Sequence, residues 1–149
     1  MSGTKGAEKV FLIGLIIWLL AHLIRCIAIP LIQSVAHGIN APGWIYPSVL
    51  DVITAVLALP LLIAIWKWRG FTVWMLTIAY LTLSIVDHIG ALTNMSLIGA
   101  PICFAGFNEG GDPFIAPVVQ TVLDVVFLTL LLMPRFRRKF FEIRDDGGA

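Results

Sequence analysis

The chain has 149 residues, of which 59% are hydrophobic and only 13% charged, and its mean hydropathy is +0.96. A water-soluble domain carries about 25% charged residues to cover its surface, so this composition excludes a soluble monomer. It equally excludes a disordered chain, which needs low hydrophobicity and high charge. The net charge of +1, with the basic residues gathered at the edges of apolar segments, removes the electrostatic footprint of nucleic-acid binding.

Four apolar segments follow one another, at residues 10–31, 47–66, 71–92 and 114–133. Each approaches the ~20 residues that cross a bilayer as a helix, and only helices satisfy their own backbone within one segment in lipid. The expected fold is all-α: one membrane domain, an antiparallel bundle of four transmembrane helices, followed by a basic tail over 134–149. The first segment follows Lys5 and Lys9 like the core of a signal peptide. It is too long for one, contains His22 and Arg25, and reads as a retained helix.

Lys and Arg set the orientation. Lys5 and Lys9 precede the first span, Lys67 and Arg69 separate the second and third, and Arg135, Arg137, Arg138, Lys139 and Arg144 follow the fourth. The other two connections carry neither. The positive-inside rule then makes both termini cytoplasmic, in a plasma or bacterial inner membrane. Trp66, Trp68 and Trp74 at the inner boundary, with Trp44 and Tyr46 at the outer one, read as interfacial aromatic belts. The outer connection over 93–113 is long and rich in Gly and Pro, which suits a lid, a partner contact or a plain connector.

A weak internal likeness suggests two hairpin repeats. Residues 48–52 (SVLDV) resemble 121–125 (TVLDV), and Trp18, His22 and Arg25 are spaced like Tyr80, Ser84 and Asp87. Parallel repeats of this kind occur in transporters, although apolar sequences also match by chance.

The spans keep six ionisable residues: His22, Arg25, Asp51, Asp87, His88 and Asp124. Each costs about 2.5–3.5 kcal/mol at a helix centre. Helical spacing places them on shared faces with Trp18, Tyr80, Ser84 and Gln120 as neighbouring walls, and a bundle turns such faces inward. Three carboxylates cannot all ionise cheaply around one arginine. Asp124, the deepest, is the candidate to hold a proton. Pro60 is expected to kink the second span and widen a cavity. No pair of ligands at His-x3-His or Glu-x2-His spacing points to a metal, and no cofactor motif is present.

Three functions fit. The first is binding and translocation of a small solute or proton by a homo-oligomer. The second is an intramembrane enzyme using Asp and His acid–base chemistry on a lipophilic substrate. The third is an accessory subunit of a larger membrane complex, the polar residues serving as helix glue. Other motifs are minor: Cys26 and Cys103 as a disulfide or as two buried free thiols, a glycosylation sequon at Asn94, Glu109 and Asp112 as weak cation ligands, and the tail lying on anionic lipid or acting as a stop-transfer signal.

Overall fold

The computed structural model describes residues 3–68, 70–98 and 115–141. Among them the chain is helical, with α1 at Gly3–His22, α2 at Ala28–Ala36, α3 at Ile45–Lys67, α4 at Phe71–Ile98, α5 at Ile115–Leu132 and α6 at Pro134–Phe141. The four expected spans are present as helices long and apolar enough to cross a membrane. α3 packs on α1, α2 and α4, and α4 packs on α5. α1 and α5 meet through large side chains, Phe11 and Trp18 against Phe127.

Burial is inverted relative to a soluble bundle. Large apolar side chains such as Val10, Ile24, Val56, Leu59 and Val122 point outward, while Arg25, Asp87 and Asp124 are buried. Lipid-facing surfaces tolerate this arrangement and water does not. The apolar core fills the half of the bundle nearest the α3–α4 turn, around Leu15, Leu19, Leu61, Ile65, Leu81 and Leu131. That half ends in Lys9, Lys67 and the arginines of α6, and is called here the basic end. The polar residues occupy the other half, the loop end.

The first span is not one helix. A 3-10 segment, Leu23–Ile27, separates α1 from α2. Pro30 is the physical cause: it has no N–H to donate to the Cys26 carbonyl, and its ring crowds that carbonyl. The preceding turn tightens, and the Ala28 N–H bonds to the Arg25 carbonyl. In the first turn of α2, the missing Pro30 donor leaves no intrahelical bond broken. Pro47 and Pro117 occupy the same first-turn position in α3 and α5.

α2 continues past the expected boundary to Ala36. It stops at Gly38, whose φ of 72° allows the Ile39 N–H to reach the Ser34 carbonyl at 2.9 Å while its own N–H reaches Val35 at 3.0 Å. α4 also runs further than expected, so Thr93–Ile98 is helix rather than loop. Residues 99–114, with Cys103, Glu109 and Asp112, lie outside the described residues.

The basic end is closed by α6, which begins at Pro134 and crosses α1, α4 and α5. Phe140 is fully buried and its carbonyl accepts a hydrogen bond from the Gly70 N–H. Phe136 packs on Phe11, with ring centroids 4.7 Å apart. Arg137 lies over Trp74, and the Trp74 indole donates to the Leu131 carbonyl at 3.0 Å. That carbonyl is among the last four of α5, which have no partner within their own helix. Trp66 and Trp68 are exposed as a belt requires, whereas Trp74 and Trp44 are buried packing residues.

Phe140→Ala is therefore expected to free α6. The loss, up to about 3–5 kcal/mol for a fully buried Phe, should lower the thermal midpoint in detergent and speed tryptic cleavage after Arg137 and Arg138. Phe141→Ala, at a half-exposed side chain, should change both far less.

Candidate functional site

The six ionisable residues and their expected neighbours come together in the loop half of the bundle, in two tiers. The upper tier is built on Arg25. Its 3-10 segment turns Ile24 and Ile27 outward and leaves the arginine only 6% exposed. Nε donates to Asp51 Oδ1 at 2.5 Å, Nη1 donates to Ser84 Oγ at 2.9 Å, and Nη2 donates to Asp87 Oδ2. One guanidinium thus ties the first span to α3 and α4, as its planar fork of donors permits. Asp51 is partly exposed and Asp87 is buried.

The lower tier is built on Asp124, which is fully buried on α5. Trp18 Nε1 donates to its Oδ1 at 2.6 Å. His22, one turn from Trp18 on α1, places Nε2 at 3.6 Å from Oδ1. His88 on α4 places Nδ1 at 3.5 Å from Oδ2. Both separations exceed an ordinary hydrogen bond. His22 Nδ1 and the Tyr80 hydroxyl are 2.8 Å apart and share a hydrogen bond.

Several buried polar atoms in these tiers have no hydrogen-bond partner among the described residues: His22 Nε2, both ring nitrogens of His88, Asp124 Oδ2 and Asp87 Oδ1. In low dielectric each such atom is costly, and a native structure explains them by water, a proton or a bound group. Trp44 Nε1, in the pocket lining, is also unpartnered among the described residues. Thr54 and Thr77 are satisfied within their own helices, returning their hydroxyls to the Leu50 and Val73 carbonyls.

A pocket of about 100 Å3 lies over the two tiers at the loop end, lined by Trp44, Asp51, Asp87, His88, Met95 and Gln120 among others. Pro60 does not line it. That residue is exposed, more than two turns along α3 towards the basic end.

Sequence reasoning placed Trp18 and Tyr80 as apolar walls, and the structure makes them hydrogen-bonding partners of Asp124 and His22. Helical spacing alone could show that they share the faces; it could not show which polar atom each meets. The Asn94 side-chain nitrogen, where a glycan would attach, donates to the Gly43 carbonyl at 3.0 Å. Cys26 is exposed within the 3-10 segment. Among the described residues no three His, Cys, Asp or Glu side chains are arranged to hold a metal ion. The chain matches no family model, no curated protein and no solved structure.

Replacing Arg25 by Met would leave Asp51 and Asp87 facing each other without their cation. Breaking a buried pair in this way costs about 3–5 kcal/mol. Adding Asp87→Asn should return part of that loss, because it removes one of the stranded charges. A double-mutant cycle measured by unfolding in detergent checks this: coupling is expected, and simple additivity would contradict the contact.

Proposed function

We propose that this small integral membrane protein binds a proton or a small solute at its buried polar centre and translocates it, with access from the loop end. The observation that carries the reading is Asp124, fully buried, with two imidazoles beside it and one oxygen unpartnered. A carboxyl placed there at such cost is a functional candidate by default. Charge favours a cationic occupant, since the two tiers together hold three aspartates and a single arginine.

Size narrows the occupant. At about 30 Å3 per water molecule, the pocket of about 100 Å3 takes roughly three waters. Ligand sites for larger molecules run to about 300–1,000 Å3. This size favours a proton or a very small solute over a lipophilic enzyme substrate. By the positive-inside rule the basic end faces the cytoplasm, so the pocket opens to the opposite side. Four helices enclose too little space for a wide path, and we take the working unit to be a homo-oligomer.

A second reading has its own support. Arg25 is met by three acceptors from two helices, which is what a purely structural clamp needs, as in an accessory subunit of a membrane complex.

Proteoliposomes containing a pH-sensitive dye separate the two. Acidifying the outside should acidify the lumen faster than in empty vesicles, and Asp124→Asn should reduce that rate at least tenfold while the protein still elutes as a folded species. Equal rates for the wild type and Asp124→Asn, or a wild type no faster than empty vesicles, would favour the clamp.

A further inference from the structure

We propose that His88 is the proton carrier between the loop-end pocket and Asp124; this rests on the reading of Asp124 as an exchangeable site. His88 is the side chain common to the pocket lining and the surroundings of Asp124. The other neighbours of Asp124 are already engaged: Ser84, which also faces it, accepts from Arg25 Nη1. Trp18 occupies Oδ1, and His22 is tied through Nδ1 to Tyr80, away from the pocket lining. Oδ2 is the unpartnered oxygen, and the group facing it is His88 Nδ1 at 3.5 Å.

Among the described residues neither ring nitrogen of His88 has a hydrogen-bond partner, and the side chain is only 4% exposed. A structural histidine buried to this degree is normally held by a hydrogen bond at one nitrogen or both. Among the described residues, no hydrogen bond fixes this ring in one orientation. A rotation about its Cβ–Cγ bond presents either nitrogen to the pocket or to Asp124.

The transfer is a simple proton relay. A hydronium in the pocket gives its proton to Nε2 and becomes water. The imidazolium then releases the Nδ1 proton to Asp124 Oδ2, and the carboxylate becomes a carboxylic acid. The imidazole is left neutral with its proton on Nε2, and ring rotation or the reverse transfer resets it. The charged and titratable groups around this path are His22 on α1, Arg25 on the 3-10 segment, Asp51 on α3, Tyr80 and Asp87 on α4, and Asp124 on α5. Arg25 is paired with Asp51 and Asp87, so its charge opposes the passing proton less than a lone arginine would.

Time-resolved infrared spectroscopy of reconstituted protein after an acid jump tests this. The carboxylic-acid carbonyl band that Asp124→Asn removes reports the proton on Asp124. With His88→Ala, the band is expected to reach its wild-type amplitude at least tenfold more slowly, and imidazole added to the buffer should restore the rate. His88→Gln, which keeps most of the volume but carries no exchangeable ring proton, should be slow without imidazole rescue. A wild-type rate in either folded variant, or no rescue of His88→Ala, overturns the relay. Absence of any band sensitive to Asp124→Asn overturns instead the reading of Asp124 on which the relay rests.

Discussion

A guanidinium inside a membrane bundle has to be surrounded by acceptors, and this requirement organises the chain. Arg25 is buried, so the fold brings acceptors to it. Asp51 comes from α3, with Ser84 and Asp87 from α4. The contact fixes the rotation of three spans about their axes. With α4 so rotated, Tyr80 and His88 necessarily face the same interior, one near His22 and the other near Asp124. The lower tier is therefore positioned by the upper one, and α5 is drawn in through Asp124 and Trp18.

The broken first span serves this arrangement. An uninterrupted α-helix would carry Arg25 on from His22 by about 100° per residue. The 3-10 turn forced by Pro30 advances each residue further, with about three residues per turn, so Arg25 sits nearly above His22. One span thereby supplies both tiers: Trp18 and His22 to Asp124, and Arg25 to the two aspartates above. At the basic end the order is reversed, because apolar and aromatic packing dominates and α6 seals it with Phe136 and Phe140. The molecule thus has a polar loop half and a closed apolar half. For an occupant arriving from the loop end, Leu15, Leu81 and Leu131 are the barrier to going further, and passage requires the basic end to loosen.

Much of this was legible in the sequence, for definable reasons. Span number and helical type follow from apolar length, and the convergence of His22, Arg25, Asp51, Asp87, His88 and Asp124 follows from 3.6-residue spacing together with lipid's rejection of charge. Partner identities were not legible, since spacing gives a face and not an atom. Trp18 read as a wall and is a donor to Asp124; Trp74 read as a belt residue and is a buried donor to the Leu131 carbonyl. The break at Leu23–Ile27 was encoded in Pro30 but masked by unbroken hydropathy across it. α6 meets the start of α4 through the backbone bond to Gly70 and through Arg137 and Phe141 against Trp74, contacts for which composition holds no signal.

The claim that most needs direct test is that the polar centre exchanges a proton and is not sealed glue. The measurement is proton uptake per chain, by pH-stat on purified protein in lipid nanodiscs across mildly acid to neutral pH, for the wild type and Asp124→Asn. The account predicts about one additional proton taken up by the wild type, with that difference lost on adding His88→Ala only in its rate and not in its extent. Identical uptake curves for the wild type and Asp124→Asn would contradict it, and would leave the buried tiers as a structural clamp alone.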